Sequence, residues 1–286
     1  MSTDPGSPIR PDQLWLTRDG VRLHGLDWGG PEGGPLVLLL HGVAGNALVW
    51  NEVAPILRAS LPDHRIVALD TRDGGRSDHP GTGYALADFV ADVLAVADAL
   101  GAARISLVGH SRGGWLAACI AALHPDRVNR LVLVDPARIS FGSDDAADDA
   151  YRRFAGGLGP FTSREEALAA ARTEEPTALW TPTRVHALLD NLVDLPDGSV
   201  VSRLPGHVLD QLRAARGDGE RVRLEGVRAP TLLLLAAGLG DQHMADRMVY
   251  AERIPGTRVE RVMGTHFLHT DAPETVARLI TGHLGA

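Results

Sequence analysis

The sequence contains no lysine, since all 28 of its basic residues are arginine. Without lysine the chain has no side-chain amine for a Schiff base or for attaching pyridoxal phosphate, and it has no Walker-type phosphate-binding lysine. It also has a single cysteine, Cys119, which cannot form an internal disulfide. Because Cys119 falls on the apolar side of a predicted helix, we expect it in the core.

Basic segments and long apolar runs are also missing. A net charge of −8, with no basic run, argues against a nucleic-acid or anionic-membrane partner. No apolar run approaches the roughly 18 residues that span a bilayer, and the N-terminus lacks the pattern of a secretion signal. We therefore expect a soluble cytoplasmic protein, monomeric or homodimeric, whose partner is a small-molecule substrate.

The apolar residues, 44% of the 286, form short runs that alternate with helical patterns. This alternation predicts right-handed crossovers and a parallel sheet covered on both faces by helices. The predicted strands are 13–17, 21–28, 35–40, 65–69, 105–108, 128–134, 230–236 and 258–263, and the longer predicted helices are 50–58, 85–100, 242–253 and 273–284.

The pattern changes between residues 136 and 226, where short helical stretches are broken by glycine and proline. We interpret this part as an inserted helical lid, and residues 1–135 and 227–286 as the core domain. Trp180, Phe154 and Phe161 are its candidates for lining an apolar substrate pocket, although packing of the lid against the core would use the same residue types.

Ser111 is the predicted nucleophile. It lies in Gly109-His110-Ser111-Arg112-Gly113, between an apolar strand and an alanine-rich helix. At a sharp strand-to-helix turn, side chains two residues before and after the serine would clash with the crossing backbone, which explains both glycines. The alternative interpretation is a glycine-rich turn whose serine only caps the helix.

A serine nucleophile needs a base, and the base needs an orienting carboxylate. His266, in the loop after the last strand, is the predicted base, and His269, closer to the final helix, is its competitor. Asp241 is the favoured carboxylate, because its glycine-rich loop follows the penultimate strand and gives the order Ser, Asp, His. Asp135, which ends the strand after the elbow helix, is the alternative acid.

An oxyanion formed by attack on a carbonyl needs backbone N–H donors. We predict that these come from Arg112, the residue after the nucleophile, and from Val43 in the loop after strand 35–40, with Ala44 as the next candidate. No metal and no cofactor are implied by this set of residues.

These motifs together resemble the α/β-hydrolase fold superfamily, and within it the lidded esterases, lactonases and C–C hydrolases. The resemblance implies a mostly parallel central sheet of about eight strands, helices on both faces, an inserted lid and a Ser-His-Asp triad. The matching stretches are LLLHG at 38–42, DTRDGGRS at 70–77, LVGHSRGG at 107–114, HPDRVNRLVLVD at 124–135, APTLLLL at 229–235, GLGD at 238–241 and GTHFLH at 264–269.

Three features of the sequence bear on how far the resemblance extends. Asp73 stands where the family usually has glycine. Ala236-Ala237 lengthens the segment before Asp241, and no proline follows that aspartate, which keeps Asp135 open as the acid. A serine at position 111, instead of a nucleophilic aspartate, argues against dehalogenase and epoxide-hydrolase chemistry.

The sequence thus predicts a serine hydrolase that cleaves an ester or lactone of a small, largely apolar substrate. The alternatives are a C–C bond hydrolase, a non-hydrolytic tailoring enzyme that transfers or cyclises an acyl group, and a ligand-binding receptor on the same fold.

Overall fold

The computed structural model describes residues 9–137, 159–176, 178–215 and 217–286. Its main sheet has eight strands in the order β1-β2-β4-β3-β5-β6-β9-β10, and β7 and β8 form a separate pair. The pairs β1–β2 and β2–β4 are antiparallel and the others in the main sheet are parallel. The strands are β1 (Asp12–Arg18), β2 (Val21–Asp27), β3 (Leu36–Leu40), β4 (Arg65–Asp70), β5 (Ile105–His110), β6 (Val128–Val134), β7 (Leu192–Asp194), β8 (Val200–Ser202), β9 (Thr231–Ala236) and β10 (Arg258–Val262).

The mostly parallel eight-stranded sheet predicted from the sequence is confirmed, and helices lie between its strands. The described helices are α1 (Val53–Ser60), α2 (Leu86–Ala99), α3 (Arg112–Leu123), α4 (Arg164–Glu174), α5 (Pro182–Asp190), α6 (Gly206–Ala214), α7 (Asp241–Arg253), α8 (Leu268–Asp271) and α9 (Pro273–Leu284). Within the described ranges, none of them combines the length and apolar character needed to cross a bilayer.

The central strands are apolar on both sides because each face of the sheet is covered. Leu38 and Leu40 of β3 pack in a cluster with α2 and α3, whereas Val37 and Leu39 point to the opposite face and pack with α1 and α9. Successive side chains of a strand alternate between faces, so an unbroken apolar run serves both clusters. The core is therefore two apolar layers separated by the sheet.

Cys119 of α3 lies in the first of these layers, as predicted, and is buried. Burial raises the pKa of its thiol to about 12, because an apolar environment disfavours the thiolate. The side chain is therefore an unreactive packing residue.

The described part of the chain between β6 and β9, residues 159–226 apart from 177 and 216, is called the inserted segment below. It contains α4, α5 and α6, and also the antiparallel pair β7–β8, which the sequence patterns did not predict. Strands of three residues are too short to show the alternation on which a strand prediction depends. The inserted segment therefore combines helices with a small sheet.

Helix α5 fixes the inserted segment to the loop that follows β3. The Asn46 amide donates to the Ala187 carbonyl at 2.8 Å and to the Asn191 side-chain oxygen at 2.9 Å. In return the Asn191 amide donates to the Ala44 carbonyl at 3.0 Å. Asn46 is buried, so these bonds replace the hydration that its amide N–H groups lose. They hold α5 against the same loop that carries Val43.

Candidate active site

Ser111 lies at a strained turn between β5 and α3. Its backbone has φ 51° and ψ −120°, a region that non-glycine residues rarely adopt. A Cβ atom on Gly109 would lie 2.6 Å from the Gly114 nitrogen, and one on Gly113 would lie 2.6 Å from the Leu40 carbonyl oxygen. The close backbone crossing predicted for these two glycines is therefore confirmed.

The loop after β3 reaches the serine. A Cβ atom built on Gly42 would lie 3.2 Å from Ser111 Cβ, so the residue before Val43 is in direct contact with the elbow. Arg112 is the first residue of α3, and its N–H has no acceptor within the helix. The structure thus brings the loop that carries Val43 close to Ser111 and Arg112, and the oxyanion hole formed by the N–H groups of Val43 and Arg112 stays a prediction.

The Arg112 side chain is held by residues of the core domain. Its Nη1 lies 3.1 Å from Asp73 Oδ2, and its guanidinium lies 4.1 Å from the centre of the Phe89 ring. Asp73 is buried, and its other oxygen, Oδ1, accepts a hydrogen bond from the Thr71 hydroxyl at 2.6 Å. The aspartate that replaces the usual glycine therefore anchors the first turn of α3, a role that its sequence position did not reveal.

His266 lies in the loop between β10 and α8, and its Nδ1 donates to Asp135 Oδ2 at 2.5 Å. The imidazole is 28% exposed, whereas the Asp135 side chain is completely buried. His110, next to Ser111, donates from Nε2 to the His266 carbonyl at 2.8 Å, and the two rings are 4.7 Å apart. The residue before the serine thus holds the loop of the predicted base.

Asp135 directly follows β6, at the carboxyl end of the sheet. Its Oδ1 accepts from the Ala236 N–H at 3.2 Å, and its Oδ2 accepts from His243 Nε2 at 2.8 Å as well as from His266. Burial alone would raise the pKa of this carboxyl, but the bonds from His243 and His266 outweigh it and hold the pKa well below its usual range. Asp135 is therefore an ionised carboxylate.

The predicted contact between Asp241 and His266 is wrong, because Asp241 does not reach the imidazole. Asp135, the alternative acid, makes the contact with His266 instead. Asp241 is the exposed first residue of α7. A 3₁₀ turn, Ala237–Leu239, separates it from the end of β9. Strand β6 is paired directly with the nucleophile strand β5, so its carboxyl end carries Asp135 into the site while the turn carries Asp241 to the surface.

His269, the competitor for the role of base, is fully buried in α8. Its ring lies 4.3 Å from the His110 ring and 4.8 Å from the Trp50 ring. Burial, together with the nearby His266 and Arg184, lowers its pKa to about 3. No described residue hydrogen-bonds its ring nitrogens. His269 is a neutral packing residue, and the structure favours His266 for the role.

His243 was missed by the sequence patterns, which gave no reason to separate it from surface histidines. Its position in the first turn of the helix after β9 was the one available signal. The ligand atoms of Asp135, His243 and His266 lie within 4.8 Å of one another, and these residue types bind Zn²⁺. A metal ion there would take the Nδ1 of His266 and displace its bond to Asp135, so the hydrogen-bonded arrangement and a metal site exclude each other.

The three residues predicted to line a substrate pocket do not form one group in the structure described. Trp180 is partly buried beside Arg184, whose guanidinium lies 4.5 Å from its ring. Phe161 exchanges backbone hydrogen bonds of 2.8 Å with Val200 and packs in a small cluster within the inserted segment. Phe154 lies outside the described residues.

Residues 35–273, which include the elbow, Asp135 and His266, match the α/β-hydrolase fold family. The chain belongs to the α/β-hydrolase family. This α/β hydrolase is 31% identical to a serine hydrolase-like protein of Danio rerio, covering 92% of this chain and 85% of that protein. It is also 31% identical to the lipase LipV of Mycobacterium tuberculosis, covering 90% and 95%.

The structural comparison agrees on the fold. The crystal structure of E-2-(acetamidomethylene)succinate hydrolase superposes with a TM-score of 0.79 over 96% of this chain and all of that chain, at 22% identity. At that identity the likeness shows the shared fold of the two proteins.

Proposed function

We propose that this α/β hydrolase is a serine hydrolase that cleaves an ester or lactone bond of a small, largely apolar substrate. The observation that carries the proposal is that three groups are connected at the carboxyl ends of the central strands. Ser111 lies at the strained elbow, the neighbouring His110 holds the backbone of His266, and His266 donates to the buried carboxylate of Asp135. These are the groups that acyl transfer to a serine requires.

The proposed reaction has two steps. His266 Nε2 takes the Ser111 proton as Oγ attacks the substrate carbonyl, and then gives it to the leaving oxygen, which produces an acyl-enzyme. A water molecule, deprotonated by the same nitrogen, attacks the acyl carbon; the bond to Ser111 Oγ then breaks, Oγ takes the proton back from Nε2, and the carboxylic acid leaves. Asp135 holds the tautomer with a proton on Nδ1, so that Nε2 is free to accept.

Charge develops on the carbonyl oxygen in both steps. The N–H groups of Val43 and Arg112 are the proposed donors to it, each contributing about 3 kcal/mol to transition-state stability. The ion pair between Arg112 and Asp73 supports this geometry, because it anchors the turn from which one of the two N–H groups projects.

Rapid-mixing kinetics with p-nitrophenyl esters of increasing chain length, accompanied by a panel of simple lactones, test the proposal. We expect a burst of about one p-nitrophenolate per active site followed by slower steady release, because the acyl-enzyme accumulates. Active sites are counted independently by titration with a fluorophosphonate. If the fluorophosphonate labels Ser111 but no ester or lactone is turned over, ester hydrolysis is contradicted and a specialised reaction, such as C–C bond hydrolysis or acyl transfer, takes its place.

A further inference from the structure

Arg184 is a buried arginine of the inserted segment that the reaction described above does not use. It lies in the first turn of α5, where the Thr181 hydroxyl accepts from the Arg184 N–H at 3.3 Å and Pro182 occupies the first helical position. A side-chain cap and a proline at this position both favour a helix that begins there. The direction of the Arg184 side chain is therefore set by a well-defined helix start.

Helix α5 contacts the two loops that flank the candidate active site. One turn further along α5, the Ala187 carbonyl is bonded to Asn46 in the loop after β3. On its other side, the Arg184 guanidinium lies 3.6 Å from the centre of the ring of Phe267, the residue after His266. Arg184 thus lies between the loop that carries Val43 and the loop that carries His266.

The hydrogen bonding of the Arg184 guanidinium is incomplete. The residue is only 7% exposed. Glu175 pairs with its Nη2, and the aromatic rings of Phe267 and Trp180 are stacked on the group. Its Nη1 is buried and has no hydrogen-bond partner among the described residues. A buried N–H without an acceptor is costly, and more so on a charged group.

Two carboxylates lie near Arg184, those of Glu175 and Asp271, and neither accepts a hydrogen bond from its Nη1. Burial lowers the pKa of the guanidinium to about 10, and the nearby Asp271 carboxylate offsets this only in part. His110 and His269, the buried imidazoles nearby, have lowered pKa values and are neutral, so neither competes for an anion. The Glu175 side chain is 42% exposed and can turn towards water. A carboxylate oxygen at Nη1 would supply the missing acceptor, while Glu175 is free to turn away from the guanidinium.

We propose that Arg184 Nη1 binds a carboxylate of the substrate, so that the preferred substrates are esters or lactones that also carry a carboxylate group. The inference rests on the proposed function, since it names the substrate class of the same site. Stacked rings leave the N–H edge of a guanidinium for binding, and a planar carboxylate fits that edge. Arg112, which follows the nucleophile in the chain, is already paired with Asp73.

A matched pair of esters tests the inference. Mono-p-nitrophenyl glutarate and p-nitrophenyl hexanoate have acyl chains of similar length, and only the first carries a carboxylate. We expect wild type to have the higher kcat/KM with the glutarate ester. In Arg184→Met, which keeps an unbranched apolar side chain, KM for the glutarate ester rises about 10- to 100-fold, as expected for loss of a charged hydrogen bond. KM for the hexanoate ester stays within about twofold.

Arg172→Met is the control, because Arg172 is exposed and lies 6.0 Å from the same Trp180 ring. It leaves both esters unchanged. Equal losses for both esters in Arg184→Met would show that Arg184 only packs the inserted segment onto the core, and a wild-type preference for the hexanoate ester would also overturn the inference.

Binding without turnover separates this inference from the proposed function. Calorimetric titration of Ser111→Ala with glutarate detects the carboxylate site even if no ester is hydrolysed. We expect binding to Ser111→Ala, retained when Glu175→Gln is added and lost when Arg184→Met is added. Absence of binding, or binding that survives Arg184→Met, would contradict a carboxylate site at Arg184. Failure of both esters combined with Arg184-dependent glutarate binding would reject only the ester-hydrolase proposal.

Discussion

Replacing Ser111 with alanine lowers kcat for any ester that the enzyme hydrolyses by about 10⁴- to 10⁶-fold. The substitution removes the nucleophilic oxygen, and the oxyanion donors and the imidazole that remain cannot replace covalent catalysis. Alanine also carries a Cβ atom and meets the same backbone strain at φ 51°, so we expect the melting temperature to stay close to that of wild type. Release of p-nitrophenolate, followed at matched enzyme concentrations, gives the measurement.

Ser60→Ala is the matched control, because Ser60 is exposed at the end of α1, on a different element. It keeps wild-type kcat. A Ser111→Ala enzyme that retained more than a small fraction of the wild-type rate, with the control unaffected, would mean that another group attacks the substrate.

Changing Asp135 to asparagine lowers kcat by about 10⁴-fold, the loss expected when the acid of a triad becomes an amide. The amide no longer stabilises the tautomer of His266 with its proton on Nδ1, nor the imidazolium that forms during the reaction. Its partners Ala236 N–H and His243 would also lose a buried carboxylate acceptor, so we expect a lower melting temperature. Steady-state kinetics and thermal unfolding measure the two effects.

Asp241→Asn makes the same chemical change at an exposed helix start. Because Asp241 does not contact His266, we expect kcat to stay within about twofold of wild type. A collapse of activity in Asp241→Asn, with Asp135→Asn remaining active, would reverse the assignment of the acid.

The fold could be predicted because the sequence patterns that indicate its helices, strands and turns are local. The final helix is predicted at the residues observed, Pro273–Leu284, since proline marks its first position. The elbow at Ser111 follows from the steric needs of two glycines, and the buried strands follow from apolar runs that serve both faces of the sheet. Each of these depends on neighbours within a few positions in the sequence.

The choice between two aspartates was not predictable in the same way. Asp135 and Asp241 both follow strands, and the path of a single 3₁₀ turn, Ala237–Leu239, decides which reaches His266. The bond from His243 to Asp135 and the position of Arg184 over Phe267 join residues 108 and 83 positions apart. Side-chain contacts of this range depend on the assembled tertiary structure, and no local pattern encodes them.

The rate at which a fluorophosphonate labels Ser111, followed by mass spectrometry in wild type, Asp135→Asn and Asp241→Asn, tests the proposed triad most directly because it requires no knowledge of the substrate. We expect one adduct on the peptide that contains Ser111, formed at the wild-type rate in Asp241→Asn and orders of magnitude more slowly in Asp135→Asn. An adduct on another residue, or slow labelling in Asp241→Asn with Asp135→Asn unaffected, would contradict it.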